Sequence, residues 1–199
     1  MEKNVLNKAY SLLLIGGSAG SLEVILKVVP RLKKNHLPIV FVLHRKNAND
    51  SILLDLLSSK TPSKVYELED KQMIYPGCIF LAPPDYHLLF EKQLYCALDN
   101  SEKINFSRPS IDVAFDSAAR VYGPALVCIL LSGANADGME GMKKVKHNGG
   151  TLVVQNPETA SVAYMPQQAL DNCSIDFVLN PEEMADFING LEFKIPPAF

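Results

Sequence analysis

Four short apolar runs constrain the fold of this 199-residue chain more than any other feature. The runs are SLLLIGG (11–17), PIVFVLH (38–44), ALVCILLSG (125–133) and TLVVQNP (151–157). Because nearly every residue in them is apolar, with no polar residue at alternate positions, the pattern is typical of strands buried on both faces. Such strands form parallel sheets with helices packed on both sides. The chain is therefore predicted to be an α/β protein.

Helical periodicity fills the segments between these runs. Further strands are predicted at GCIFLAPP (77–84) and IDFVL (175–179), and helices at 21–34, 51–60, 108–123, 137–150, 165–172 and 181–190. Ser110 is the predicted N-cap of the helix in 108–123. YHLLFEKQLYCAL (86–98) predicts an antiparallel hairpin that turns at Glu91-Lys92-Gln93. The predicted fold is a single doubly wound, mostly parallel, Rossmann-like sheet flanked by helices, with this short hairpin added.

Charge, hydropathy and cysteine spacing argue against a nucleic-acid-binding protein, a membrane protein and a zinc protein. With 19 Lys and Arg against 22 Asp and Glu, the chain has a net charge of −3, which argues against a nucleic-acid partner. No apolar run reaches the 18 or so residues that span a bilayer, so we do not expect an integral membrane protein. We expect a cytoplasmic location. Cys78, Cys96, Cys128 and Cys173 lie too far apart for a paired-ligand zinc site. We expect buried, reduced thiols, no metal and no cofactor.

Three chemically active side chains follow predicted strands. Ser18 follows the glycines of the first run, His44 ends the second, and Asp137 lies shortly after the third. Because catalytic groups gather at the carboxyl ends of parallel strands, we expect these side chains to lie near one another. A hydroxyl, an imidazole and a carboxylate are the groups that a serine hydrolase needs.

In that hypothesis Ser18 is the nucleophile, His44 is its base and Asp137 orients the imidazole. Because Ser18 lies where a helix begins, the backbone N–H groups of Ala19 and Gly20 are candidate donors to an oxyanion. Each residue also has a purely structural interpretation. Ser18 fits a turn, His44 fits a core histidine, and Asp137 fits a cap of the following helix. Spacing alone does not decide between the two sets of roles.

Six separated blocks resemble the catalytic domain of the chemotaxis protein-glutamate methylesterases, the CheB family. In order they are IGGSAGSLEVI, PIVFVLH, RPSIDVAFDSAA, LLSGANADGMEGM, GGTLVVQNPETASVAYMPQQAL and IDFVL. The resemblance implies a Ser-His-Asp triad that hydrolyses glutamate methyl esters on chemoreceptors and releases methanol, and that in many members also deamidates selected receptor glutamines. By position the triad falls on Ser18, His44 and Asp137. Ala134 stands where the family has a methionine, so its backbone N–H is a candidate second oxyanion donor.

The chain departs from the family pattern beside the triad. Ser18 is followed by Ala19-Gly20-Ser21 where the family usually has threonine-glycine-glycine, and His44 by Arg45-Lys46 where it usually has methionine-proline. The two added positive charges have two interpretations. They are a solvated surface pair, or they attract an acidic receptor segment.

The predicted organisation is a tail at 1–10, a CheB-type methylesterase domain at 11–190 and a second tail at 191–199. The best-known members carry a receiver domain before the catalytic domain, but here only about ten residues precede the first strand. The enzyme is therefore expected to be constitutively active or to be regulated by a separate protein in trans. The resemblance implies a cytoplasmic segment of a methylated chemoreceptor as its partner.

Two other functions stay open from the sequence. A nucleotide-binding domain also places glycines between a strand and a helix, but GGSAGS (16–21) lacks the G-x-G-x-x-G spacing. In addition, His44 stands where an acidic ribose ligand is expected. The second alternative is a catalytically silent scaffold that keeps the fold and binds receptors without turnover.

Overall fold

A computed structural model describes residues 8–34, 36–45, 51–91 and 94–193 of the chain. The strands are β1 (Ala9–Tyr10), β2 (Leu12–Gly17), β3 (Ile39–Leu43), β4 (Lys64–Glu67), β5 (Cys78–Leu81), β6 (His87–Phe90), β7 (Cys96–Asp99), β8 (Leu126–Leu130), β9 (Thr151–Gln155), β10 (Phe177–Leu179) and β11 (Glu192–Phe193). The helices are α1 (Ser21–Val28), α2 (Ser51–Ser58), α3 (Ile111–Tyr122), α4 (Met139–His147), α5 (Tyr164–Asn172) and α6 (Pro181–Asn189).

Seven strands form one parallel sheet in the order β10-β9-β8-β2-β3-β5-β4. β6 and β7 form a separate antiparallel pair. The predicted fold class is confirmed, including the hairpin; Lys92 and Gln93 of its predicted turn lie outside the described residues. From β2 the chain builds the sheet outward through β3 on one side, and later through β8 on the other. The winding therefore reverses at β2, in the middle of the sheet. Open α/β sheets bind ligands at the carboxyl ends of the strands next to such a reversal.

The apolar runs divide their side chains between two cores. In β2, Leu12 and Leu14 belong to the core that packs against α3, α4 and α5, whereas Leu13 and Ile15 belong to the core under α1, α2 and α6. Successive side chains of a strand point to opposite faces, so a run that is apolar throughout requires helices on both sides. This explains why the central strands carry no polar alternation.

Three strands were not predicted from the sequence. β4 lies at one edge of the sheet and is only partly buried. β1 and β11 are two residues long and pair in parallel with each other. Tyr10 of β1 is fully buried, and its hydroxyl lies 2.9 Å from Thr151 Oγ1. Residues 1–7 and 194–199 of the predicted tails lie outside the described residues, and the domain bounds stay a prediction.

The four cysteines are free thiols. Cys78, Cys96 and Cys128 are buried and Cys173 is half-buried. No helix within the described ranges is both long and apolar enough to cross a membrane.

Candidate active site

The register of the central strands places Ser18 beside His44. Gly17 of β2 is the register partner of Leu43 of β3, so the next residue on each strand leaves the sheet at the same edge. The His44 N–H donates to Gly17 O (3.1 Å), and the Ser18 N–H donates across to Ser132 O (2.9 Å), just beyond β8. These backbone bonds hold Ser18 between the ends of the two neighbouring strands.

The imidazole of His44 is bonded to the carboxylate of Asp137. His44 Nε2 lies 2.7 Å from Asp137 Oδ2, and the exposed fractions of the two side chains are 12% and 0%. Because an ionised carboxylate only accepts hydrogen bonds, Nε2 is the donor. Nδ1 is therefore the ring nitrogen that is able to accept a proton.

Asp137 is held by the start of α3 as well as by His44. Its carboxylate accepts hydrogen bonds from Ser110 Oγ (3.0 Å) and from the N–H groups of Ile111 (2.7 Å), Asp112 (3.0 Å) and Gly138 (3.1 Å). Burial alone raises the pKa of this carboxyl, but the bonds from His44 and from the Asp112 and Ile111 N–H groups outweigh burial and lower the pKa below its ordinary value. Asp137 therefore stays ionised beside the imidazole. The structural interpretation of Asp137 as a cap of the following helix is not what the structure shows. Its carboxylate accepts from the first N–H groups of α3, and towards α4 it accepts only from Gly138, the residue before that helix.

The second ring nitrogen of His44 faces a residue that the sequence analysis did not single out. Ser107 Oγ lies 3.5 Å from His44 Nδ1, and Asn135 Nδ2 lies 3.5 Å from the same oxygen. Among the described residues, the Ser18 hydroxyl forms no hydrogen bond with His44. The structure thus joins two of the three predicted groups directly and places the third on the neighbouring strand end. Catalytic hydrogen bonds are often long or unmade in the absence of substrate.

The candidate oxyanion donors lie on two loops that flank Ser18. Within the described part of the chain, the N–H groups of Ala19, Gly20 and Ala134 donate to no other group. Gly20 has φ +83°, in the left-handed region, and begins α1 as its N-cap. A Cβ at Gly133 would lie 2.4 Å from Met165 Cε and 3.0 Å from Ser18 Cβ, so glycine lets the second loop approach the serine.

Asp112 is a second, half-buried carboxyl that the sequence analysis missed. Its Oδ1 accepts hydrogen bonds from the N–H groups of Gly138 (2.9 Å) and Gly141 (2.7 Å) at the start of α4. Burial raises the pKa of Asp112 to about 6; these bonds oppose the rise and the negative charge of Asp137 adds to it. The sequence signal was present, since an acidic residue in the first turn of a helix is favoured by the helix dipole. The neighbouring carboxylate was visible only in three dimensions.

Neither interpretation of the basic pair describes Arg45. Its guanidinium forms an ion pair with Glu67 and donates to Ala82 O (3.1 Å), and only 13% of the side chain is exposed. The Arg45 guanidinium is therefore paired within the chain. It is neither a solvated surface charge nor available to attract an acidic receptor segment. Lys46 lies outside the described residues. Among the residues that the structure does describe, no three His, Cys, Asp or Glu side chains gather where they could hold a metal ion.

Comparison with known proteins identifies the family. A family model described as CheB methylesterase matches residues 13–188. A Leptospira interrogans protein named putative protein-glutamate methylesterase/protein-glutamine glutaminase is 41% identical over 184 residues, which cover 92% of this chain and 95% of the relative. A Thermotoga maritima protein named protein-glutamate methylesterase/protein-glutamine glutaminase is 34% identical over 185 residues, which cover 89% of this chain and 54% of that relative.

A solved structure agrees with these sequence matches. The crystal structure of the Thermotoga maritima CheB methylesterase catalytic domain superposes with a TM-score of 0.86 at 32% identity, over 92% of this chain and 98% of that one. The matches support the hydrolase interpretation rather than the nucleotide-binding or silent-scaffold alternatives. With sequence, fold and strand-end chemistry in agreement, the chain belongs to the CheB methylesterase family.

Proposed function

We propose that this protein is a serine hydrolase that removes methyl esters from glutamate side chains of chemoreceptors, with deamidation of receptor glutamines as a second reaction of the same site. The observation that carries the proposal is the 2.7 Å bond between His44 Nε2 and the ionised Asp137, formed next to Ser18 at the switch point of the sheet. The names of the relatives supply the reacting groups, methyl esters of protein glutamates and the amides of protein glutamines, and the resemblance to the CheB family supplies the chemoreceptor.

In the proposed mechanism the hydroxyl of Ser18 attacks the ester carbonyl while His44 Nδ1 takes its proton. Asp137 stabilises the imidazolium that forms, through the bond to Nε2. As the tetrahedral intermediate collapses, the imidazolium returns the proton to the methoxide, and methanol leaves. Water then adds to the acyl-enzyme by the same steps, which yields the free glutamate carboxyl and regenerates Ser18. For a glutamine, the leaving group is ammonia.

The oxyanion of the intermediate needs donors that are not already used. The N–H groups of Ala19, Gly20 and Ala134 meet this condition within the described residues and lie on the two loops beside Ser18. We assign them to the developing negative charge. Loss of one such donor typically lowers the rate by about 10²–10³-fold.

The proposed partner is the cytoplasmic segment of a receptor that bears the methyl ester, which places the enzyme in the cytoplasm. The match to the CheB methylesterase family supports this assignment. Regulation by a separate protein in trans remains a prediction.

The decisive experiment measures methanol release from methylated receptor membranes and labelling by a fluorophosphonate probe. Wild type is expected to show both, and Ser18→Ala neither. Ser161→Ala is the matched control, because Ser161 lies beside Gly20 but its hydroxyl bonds to Glu23 (3.2 Å). This control is expected to keep both activities. A wild-type protein that releases no methanol and takes no label, yet binds receptor, would instead be the silent scaffold.

A further inference from the structure

A tight turn beside His44 exposes a phenylalanine completely. Ile104 and Ser107 form an antiparallel bridge, with N–H to O distances of 3.2 and 2.9 Å in the two directions. The two residues between them, Asn105 and Phe106, have φ of +50° and +61°, which is the left-handed pair of a type I′ turn. The Phe106 side chain is 99% exposed.

The residues on either side of Phe106 are tied to the candidate active site. Asn105 Nδ2 donates to Asp112 Oδ2 (3.2 Å), and Ser107 Oγ lies 3.5 Å from His44 Nδ1. After the turn, the Arg108 guanidinium donates to Asn100 O (2.8 Å) and Ser101 O (2.6 Å). These hydrogen bonds hold the backbone of the turn on both sides, and Phe106 directly precedes Ser107, which faces His44.

Among the residues that the structure describes, no contact accounts for an aromatic residue at this position. Non-glycine residues with positive φ are strained, and a fully exposed phenyl ring forgoes the stabilisation that burial would bring. Single exposed apolar side chains are common on protein surfaces, but most are not held at fixed positions next to a catalytic group.

Two more exposed apolar side chains lie on segments that adjoin the loop of Ser18. Leu22, in the first turn of α1, is 38% exposed, and Tyr164, the first residue of α5, is 51% exposed. Tyr164 precedes Met165, whose N–H donates to Gly133 O (3.0 Å), so the start of α5 is fixed against the loop that touches Ser18. Apolar side chains from the 104–107 turn and from the first residues of α1 and α5 are thus exposed on segments that adjoin Ser18 and His44.

We propose that Phe106, together with Leu22 and Tyr164, forms an apolar rim that binds the polypeptide on either side of the esterified glutamate. The inference rests on the proposed function and names how its substrate is recognised. An ester on a side chain reaches Ser18 only if the polypeptide that carries it lies across this edge of the sheet, where the apolar rim is exposed. The occupant is therefore a receptor segment with apolar side chains flanking the ester.

The test separates recognition of the receptor from chemistry at Ser18. In Phe106→Ala, kcat/KM for methanol release from methylated receptor membranes is expected to fall at least tenfold, while the rate of fluorophosphonate labelling stays within twofold of wild type. Phe106→Leu keeps an apolar side chain and is expected to recover most of the loss. Val178→Ala removes a 47% exposed apolar side chain from β10, at the far edge of the sheet, and is expected to change neither rate.

Two outcomes would overturn the inference. One is receptor turnover by Phe106→Ala within twofold of wild type. The other is a parallel fall of turnover and labelling, which would assign Phe106 to the geometry of the catalytic site instead of to recognition. Failure of the proposed function is seen separately, because it appears in the wild-type protein as absence of both methanol release and labelling.

Discussion

The charge state of two neighbouring carboxyls decides what His44 is able to do. Asp137 has a lowered pKa because donors from His44 and α3 converge on it, whereas the adjacent Asp112 has a raised pKa because it is buried beside that charge. When two carboxyls share a site, one ionises readily and the other does so only at higher pH. Here the carboxyl that contacts the imidazole is the one that stays charged.

Asp112 should leave a signature in the pH dependence of stability. Its pKa is about 6 in the folded protein, above the ordinary value of 3.8, so between about pH 4 and 6 the folded state binds a proton that the unfolded state releases. Through this group the free energy of unfolding falls as pH rises across that window, and the loss is complete above the folded pKa. In Asp112→Asn that contribution is absent, and the amide oxygen still accepts from Gly138 and Gly141.

Urea denaturation of wild type and Asp112→Asn at several pH values between 4 and 7 measures the effect. Relative to the variant, wild type is expected to lose about 1–2 kcal/mol between pH 4 and 6.5. Comparing the two proteins cancels the titration of groups that do not interact with Asp112. Parallel stability curves would show that Asp112 has no raised pKa.

The sequence named the three candidate catalytic residues but not their immediate partners. Ser18, His44 and Asp137 were found because each follows a buried strand, and a strand end is a local feature of sequence. Ser107 and Asp112 were missed because only the packing of α3 and the turn before it brings them to the site. The triad roles themselves stay a prediction, which the Ser18→Ala experiment tests.

At the scale of elements, α3 and α4 begin side by side and each is capped by an aspartate of the other segment. Asp137, just before α4, accepts from the N–H groups of Ile111 and Asp112 in α3, while Asp112 accepts from those of Gly138 and Gly141. Helix N-termini carry a partial positive charge, so each carboxylate is stabilised by a helix start. The hydrogen bonds at the two helix starts thus fix the position of the candidate catalytic carboxylate, Asp137.

Ser110→Ala is expected to destabilise the protein by about 2 kcal/mol. Ser110 is the N-cap of α3: its buried hydroxyl accepts from the Val113 N–H (3.4 Å) and donates to Asp137 Oδ1 (3.0 Å). The variant loses the cap and also one of the donors to a buried charge. Thermal or urea unfolding measures the change.

Ser59→Ala serves as the comparison for Ser110→Ala. Ser59 is exposed, and its hydroxyl donates to Leu56 O at the end of α2. Its replacement is expected to change the free energy of unfolding by less than about 0.5 kcal/mol. Equal losses in the two serine variants would contradict the role given to the α3 cap.

The elements that the sequence analysis predicted have strong local patterns. Ser110 as an N-cap and the helix after it were predicted from residue type and periodicity, and both are observed. β4 was missed because a short edge strand shows little alternation and owes its hydrogen bonds to β5. β1 and β11 were missed for a similar reason, since two residues carry no period and their pairing joins distant parts of the chain.

For the whole molecule, sheet order decides where chemistry is possible. β2 lies between β3 and β8, so loops from three consecutive positions of the sheet meet at one edge. Ser18, His44 and Asp137 follow those three strands. The winding reverses at this point, and the helices that would otherwise cover the strand ends diverge to opposite faces.

The first and last strands of the described chain, β1 and β11, pair with each other outside the seven-stranded sheet. Tyr10 of β1 is joined to that sheet by a side-chain hydrogen bond. Its hydroxyl is buried against Thr151 Oγ1, at the start of β9. Tyr10→Phe is expected to lower the free energy of unfolding by about 1 kcal/mol and to leave methanol release unchanged, because the bond is internal and belongs to the opposite end of the strands from the site.

A double-mutant cycle with Thr151→Val checks this expectation. Each single variant removes the same hydrogen bond, so the double variant should be less destabilised than the sum of the two by about 1 kcal/mol. Strict additivity in urea denaturation would show that the bond between Tyr10 and Thr151 contributes nothing.

By itself the sequence determined the α/β class, the buried central strands, the hairpin and the strand ends that carry Ser18, His44 and Asp137. These are local properties, which the spacing of apolar residues and the residues at the end of each apolar run predict. Only the tertiary structure decided that Asp137 binds Nε2 and leaves Nδ1 facing Ser107, that Asp112 lies beside Asp137, that Arg45 forms an ion pair with Glu67, and that Phe106 is exposed. Those facts depend on contacts between segments far apart in the chain, which no local pattern encodes.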